Sequence, residues 1–418
     1  MVYLTFLLGT CVLSTTLLNY AWAQGNELAA VRDVGASLNQ FTLRLLAETN
    51  DQVGDGLNLA LSPYTVWSLL TVIAEGANGN TAKELEQSLG IPPNKEPFRR
   101  NYKSFSKYLQ QKSKDVQLDL SSAIFTTKEQ NINRPFQTLA NNFYGVDIIP
   151  TNFKKLTEGV TTINNYVSQA TNNRINNFVK IEDVADAEIL LVSTLFFKGR
   201  WRTPFNKTAT FRDTFYDSTG NKVKGSVQMM YQLGDFPYTI LSALRSHAIE
   251  LPFGDNGKMS LVVILPQKGE MLNSVLRRLS NMPFSYVFDA LEVAEQQFAG
   301  DLVHVFLPRF NMKSELNLNQ ILDHMGIRDV LNPQKADLLG IFPHYLFVSR
   351  VIHEAKIEVN EEGAEASAAA GAALQNKIPS PKFQANRDFA YFIIDKPTRS
   401  ILFAGKFTNP TTICDTCT

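Results

Sequence analysis

The chain has 418 residues and 40 basic against 40 acidic side chains, so no global field exists to gather nucleic acid, and partners of that class are excluded. Three cysteines are too few for a disulfide framework, and a chain of this length can fold on its apolar core without one. No Gly/Ser- or Pro-rich linker and no repeat period divides it, which favours one large compact unit.

Residues 1–23, MVYLTFLLGTCVLSTTLLNYAWA, carry no charge and end in Ala21-Trp22-Ala23, the small-x-small pattern a signal peptidase reads. The expectation is a secretory signal, with a mature extracellular chain running from Gln24 to Thr418 as one domain. The first residues lack a basic side chain, which leaves a retained anchor as the alternative. No second long apolar run follows, so no membrane partner is expected. Cys11 leaves with the signal. Cys414 and Cys417, in CDTCT, could close a strained ring, pair with another molecule or bind metal, the plain reading being an exposed tail without a role in folding. Asn206-Lys207-Thr208 is a glycosylation sequon whose use follows from secretion.

The N-terminal third reads as mostly helical. In NQFTLRLLAETN and SPYTVWSLLTVIAEGANGNTAKELEQSLG apolar residues recur at three and four, and Ser62-Pro63 places proline just inside a helix start. In NKEPFRRNYKSFSKYLQQKSK, Arg99, Lys103 and Lys107 recur every four residues, three cations along one helical face. A basic stripe is usually a solvated face, and the functional alternative is a polyanion site. Strands follow in ILLVSTLFFKG, HAIELPF, MSLVVILPQ, LVHVFLPRF, FAYFIID and SILFAGKF, β-branched or aromatic runs bounded by Gly and Pro. A helix, ELNLNQILDHMGI, sits among them. This interleaving without a regular βαβ rhythm predicts an α+β protein built on large sheets.

No sign of catalysis emerges. The five histidines (His247, His304, His324, His344, His353) show no HxxxH spacing, and neither a Gly-x-Ser-x-Gly elbow nor a phosphate-cradling Gly-Lys-Ser/Thr loop occurs. A lone histidine beside strand residues is more often a hydrogen-bonded structural group than a catalyst.

The stretch NEEGAEASAAAGAALQNKIPSPKF, Asn360 to Phe383, is too small-sided to pack and too apolar for a solvated linker. At strand periodicity, Ala364, Ala366, Ala368, Ala370, Ala372 and Leu374 share one face, while Glu365 and Ser367 begin the other. Such a strand could slide between existing strands with little steric resistance. Against this stands the fact that alanine is the best helix former, so composition alone allows a short helix or loose loop.

NEEGAEASAAA resembles the reactive-loop hinge of the serpins, and the similarity extends through much of residues 30 to 410. NLALSPYTVWSLL is similar to the family's helix start, with Asn58, Ser62 and Pro63 matching and Thr65 standing for its last serine. LFFKGRW, IELPFGDNGKMSLVVILP, LPRFNM, MGIRDVLNPQKADLLGI, VIHEAKIEVNEEGAEA, FQANRDFAYFIID and ILFAGKFTNP match further landmarks in order. The resemblance implies a serpin fold of three β-sheets and about nine helices with an exposed reactive-centre loop near residues 361–382. It implies no enzyme but a suicide-substrate inhibitor: a serine protease cleaves the loop, becomes acylated, and is carried along when the hinge inserts as a new strand.

The resemblance also places the site. The hinge is Glu361, Glu362, Gly363, Ala364, Glu365, Ala366, Ser367 and Ala368. The scissile residue lies sixteen beyond the first hinge glutamate, and twelve before Phe389; both counts give Lys377, with Ile378 after the bond. A lysine there suits the aspartate-based pocket of a trypsin-like protease. Ser62 and His353 match a polar cluster under the sheet's centre, with Ser193 where many serpins have asparagine, which leaves that cluster's bonding open. Trp201, Arg309 and Glu361 match the top of the sheet, where a Glu361–Arg309 ion pair is expected. The helix carrying Arg99, Lys103 and Lys107 resembles one with which some serpins bind a heparin-like polyanion activator. No metal or other cofactor is expected, and the chain is expected to act as a monomer in covalent complex with its protease. The alternative is a non-inhibitory serpin serving as ligand carrier, storage protein or chaperone. Such members tend to have bulky, charged or proline residues where this chain has Gly363, Ala364, Ala366 and Ala368.

Overall fold

A computed structural model describes residues 2–109, 114–362 and 380–410, with side chains from residue 27 onward. Among the described residues ten α-helices and three β-sheets form a mixed α+β structure. The six apolar runs singled out in the sequence all become strands, and LVHVFLPRF breaks at Arg309 into Leu302–Pro308 and Phe310–Asn317. The helix expected over ELNLNQILDHMGI is shorter. Its first residues finish the strand Phe310–Asn317, and only Asn319–His324 is helical.

The five-stranded sheet runs Phe310–Asn317, Val348–Val359, Ile189–Gly199, Val116–Thr127, Asp147–Thr151. A six-stranded sheet includes Met259–Pro266, Phe389–Asp395 and Ser400–Phe407, and a four-stranded sheet is built on Val223–Asp235 and Leu302–Pro308. Met259–Pro266, Phe389–Asp395 and Ser400–Phe407 are buried along their whole length, which is why they read as near-continuous apolar runs rather than alternating ones, with Ser260 and Lys406 as polar interruptions.

The helix Pro63–Gly76 lies between the large sheets with all residues but Glu75 buried. Only a helix apolar all round can occupy such a place. Pro63 starts it, where a missing N–H costs nothing, and it breaks at Ala77, which is extended, before Gly79–Leu89 begins.

The middle of the five-stranded sheet is packed on both faces, while its edge strands and the end at Lys198 and Glu358 stay partly exposed, and alternation sorts its side chains. Leu190, Val192, Phe125 and Ile352 join a cluster with Ile163 and Val167 of the helix Leu156–Ala170. Leu191, Leu195, Val351 and Ala355 join the main core with Val66 and Leu69 of Pro63–Gly76. By the same period of two, Ser193 and His353 fall on the second face, polar positions in an apolar row.

Candidate functional site

The two central strands, Val348–Val359 and Ile189–Gly199, run parallel, paired from Val348↔Ile189 to Glu358↔Lys198. On its other side each has an antiparallel neighbour, Phe310–Asn317 and Val116–Thr127 respectively. This seam is weaker than its flanks, because parallel ladders have slanted bonds and are slightly less stable per residue. A strand antiparallel to both would fit between them and replace one parallel contact by two antiparallel ones. The chain leaving Val348–Val359 continues as Asn360, Glu361 and Glu362.

Midway along the seam, Ser193 and His353 are paired in register. The backbone N–H of Ser62 donates to His353 Nε2 at 3.0 Å, which fixes that nitrogen as an acceptor and puts the ring proton on Nδ1. Nδ1–H donates to Ser193 Oγ at 2.9 Å, Ser193 Oγ then donates to Thr65 Oγ1 at 2.6 Å, and Thr65 Oγ1 donates to the Ser62 carbonyl at 3.0 Å. The chain of bonds begins and ends on Ser62, at the start of the buried helix, and ties that helix to both central strands. Ser193 thus bonds directly to the histidine, and Thr65 is a member that the sequence marked only as a position match.

His353 has no exposed surface, and burial pushes its pKa from 6.5 down to about 3. The sign follows. Between those values the unfolded chain binds a proton that the folded chain refuses, so stability is full above about pH 6.5 and falls as pH drops toward 3. We expect His353→Gln, which keeps an acceptor and a donor but cannot titrate, to flatten this slope by up to about 1.4 kcal/mol per pH unit. Denaturant midpoints of both proteins at pH 7.5 and 5 would measure it; parallel slopes would remove His353 as the acid-sensitive group.

At the top of the seam the chain leaving Val359 is held at three residues. Trp201 Nε1–H donates to Asn360 O at 2.6 Å, and the Trp201 backbone N–H donates to Glu362 O at 3.1 Å. The indole is buried, stacked on Phe253 at 4.4 Å and edge-on to Phe205 at 5.6 Å. Glu361 is 4% exposed, accepts from Thr210 Oγ1 at 2.8 Å, and lies 3.8 Å from Arg309 Nη1. The expected ion pair is present but long, and the threonine hydroxyl makes the closer contact. Lys198 Nζ lies 3.0 Å from Glu362 Oε2 and 3.8 Å from Glu358, and it holds the Glu362 carboxyl below its usual range. Lys198, Thr210 and Asn360 went unnoticed in the sequence. Lys198 becomes visible only through its register opposite Glu358, and Thr210 arrives from a loop with no pattern of its own.

Gly363, Ala364, Glu365, Ala366, Ser367 and Ala368 of the hinge, with Lys377 and Ile378, lie outside the described residues, as do Cys414 and Cys417. Residues 363–379 connect Glu362 to Ser380, just before the strand Lys382–Gln384 of the four-stranded sheet.

The basic stripe is narrower than its spacing predicts. Arg99 turns toward Glu75, with Nε and Nη2 donating at 2.9 and 2.7 Å, and Nη1 donates to Glu96 at 2.6 Å. The Glu75 side chain is only 3% exposed, so it needs that counter-charge, and Arg99 is held firmly protonated by it. Lys103 and Lys107 remain exposed. Asn206 is exposed too, and its Oδ1 accepts from the Thr208 backbone N–H at 3.0 Å and hydroxyl at 2.8 Å.

Three large sheets, a weak central seam and a segment tethered at its top define a protein of serpin fold. The family model described as "Serpin (serine protease inhibitor)" matches residues 36–410. A serine protease inhibitor of Cyanea capillata is 32% identical over 363 residues, covering 84% of this chain and 92% of that one. Serine protease inhibitor 2 of Anopheles gambiae is 32% identical over 391 residues, covering 90% and 92%. The crystal structure of Serpin48 from Tenebrio molitor superposes with a TM-score of 0.75 at 25% identity, over 90% of this chain and 98% of that one. The chain therefore belongs to the serpin family, and its relatives are named as protease inhibitors rather than enzymes.

Proposed function

We propose that this serpin is a secreted, irreversible inhibitor of a trypsin-like serine protease in an extracellular proteolytic cascade, cleaved between Lys377 and Ile378. The protease serine oxygen attacks the Lys377 carbonyl carbon, the Lys377–Ile378 peptide bond breaks, and the new Ile378 amine leaves with a proton. Lys377 remains joined to the protease as an ester. The hinge then enters the seam as a strand, carrying the acylated protease before water can reach the ester.

The observation that carries this reading is the parallel pair Val348–Val359 and Ile189–Gly199. A chain turning back after Glu362 would lie antiparallel to both strands, and the alternation from Ala364 to Ala372 offers small side chains to one face. Asn360, Glu361 and Glu362, where such a turn would start, are held at the top of the seam. A carrier or storage role asks for no such hinge.

Export, removal of residues 1–23, a glycan on Asn206 and action as a monomer belong to the same reading. The uncharged apolar leader and the exposed sequon support the first three. Acceleration by a heparin-like polyanion would rest on Lys103 and Lys107, since Arg99 is engaged with Glu75.

A panel of trypsin-, chymotrypsin- and elastase-like proteases tests the proposal. Trypsin-like enzymes should lose activity that dilution does not restore, while the others are cleared or ignored. Recovery of trypsin on dilution, or irreversible loss only in the other two classes, would overturn it.

A further inference from the structure

Beside the strand Lys382–Gln384 a cavity of about 450 Å³ opens against the end of Met259–Pro266 and the turn at Gly220. Lys268, Lys382, Arg387 and His247 line it, and among the described residues no carboxylate does. In a chain with no net charge this is a local field of one sign.

Arg387 is the unusual member. It is half-buried, yet its Nη2 and Nε both donate to one neutral acceptor, the Pro266 carbonyl, at 2.6 and 3.2 Å. Among the described residues no acid pairs with it. Asp388, its neighbour in sequence, is committed to Lys224 at 2.7 Å and to the Ser218 hydroxyl at 2.9 Å. A partly desolvated guanidinium without a counter-ion is costly, and two nitrogens spent on a carbonyl leave N–H donors over. Burial depresses the Arg387 pKa, with no acid opposing it.

The other members arrive from separate elements. Lys268 is exposed on the turn after Met259–Pro266 and passes over Gly220, where an added Cβ would stand 3.0 Å from its Cε. Lys382 holds its ammonium 4.6 Å above the Phe306 ring. His247 Nδ1 bonds the Tyr238 hydroxyl at 2.8 Å, and Nε2 has no protein partner among the described residues. Burial and then the Arg387 charge lower the His247 pKa, so the ring stays neutral and can donate or accept there.

We propose that this cavity binds a small ligand bearing a phosphate or sulfate group, with Arg387 and Lys268 as its main contacts and Lys382 at the rim. Donors converging from several directions suit a tetrahedral oxyanion, which accepts from all sides. The cavity lies within the range of small-molecule sites. Bound there, the anion supplies the charge that Arg387 lacks and links the short strand Lys382–Gln384 to the turn at Lys268.

Calorimetric titration of the full chain with inorganic pyrophosphate and with a heparin-derived sulfated disaccharide tests this. Saturable one-to-one binding should appear with at least one probe and weaken as salt rises; the tighter probe tells phosphate from sulfate as the source. Loss of one charged contact should weaken it roughly tenfold in Arg387→Gln and in Lys268→Gln. Lys83→Gln, an exposed cation elsewhere, should leave it unchanged. Lys268 is exposed, so its variant should fold even if Arg387→Gln does not. Absence of binding by either probe at millimolar concentration would overturn the proposal. So would affinity unaffected by Lys268→Gln, or equally reduced by Lys83→Gln.

Discussion

Ala364→Arg should turn the inhibitor into a substrate of trypsin, while Glu365→Arg leaves inhibition largely intact. The two positions are adjacent in sequence but opposite in a strand. With the hinge in the seam, the even-numbered face from Ala364 to Ala372 must pass into the core-facing side of the sheet, where buried Leu191, Leu195 and Val351 leave no water to solvate a cation, whereas Glu365 would face the side on which Lys198, Lys356 and Glu358 stay partly exposed. An unpaired buried charge costs several kcal/mol, enough to slow a rate-deciding step on the order of a hundredfold or more. Hydrolysis of the ester then wins. Cleavage by trypsin should continue, since Lys377 is untouched, but stable complex should vanish. The cleaved wild-type chain should also resist heat that unfolds the cleaved Ala364→Arg variant, because only the former completes the extra strand. Equal damage from both substitutions, or from neither, would return the segment to being an alanine-rich loop.

Lys377→Glu should cost still more in recognition and almost nothing in stability. Replacing attraction by repulsion in a trypsin-like pocket changes the interaction by several kcal/mol, on the order of a thousandfold in the rate of trypsin inhibition. A surface substitution away from packed groups shifts folding stability by about 0.5 kcal/mol or less. Rates of trypsin inactivation and thermal midpoints, measured together, separate the effects. Unchanged inactivation by Lys377→Glu would place the scissile bond elsewhere.

The strands buried on both faces were the easiest to read, since Ile189–Gly199 and Met259–Pro266 present near-continuous apolar runs, broken only by Ser193, Thr194 and Lys198 in the first and Ser260 in the second. The strand that matters most, Val348–Val359, was hidden. Arg350, His353, Glu354, Lys356 and Glu358 interrupt its pattern, and they are tolerated because they find partners across strands: Lys313 lies 3.1 Å from Glu354 and Lys198 lies 3.8 Å from Glu358. Val116–Thr127 was missed for a different reason. Its first half alternates apolar and polar residues strictly, with Gln117 and Asp119 bonded at 2.6 Å on the polar side, yet that signal was passed over.

At the site, family likeness pointed to Ser62, Ser193, His353, Trp201, Arg309 and Glu361, and the structure brings them into two groups along one seam. It could not give the order of the bonds. That Ser193 reaches His353 and passes the bond to Thr65 depends on the register of two strands far apart in sequence. In the stripe of Arg99, Lys103 and Lys107, spacing along a helix could not reveal that Arg99 is engaged with a buried carboxylate on another helix.

The central claim is that cleavage and capture are one event, and a single mixture of this protein with trypsin tests it. Denaturing electrophoresis should show an adduct with the summed mass of trypsin and the N-terminal part of the chain. The released peptide should begin at Ile378. Fast, reversible inhibition with no adduct, and a chain still intact between Lys377 and Ile378, would contradict the account.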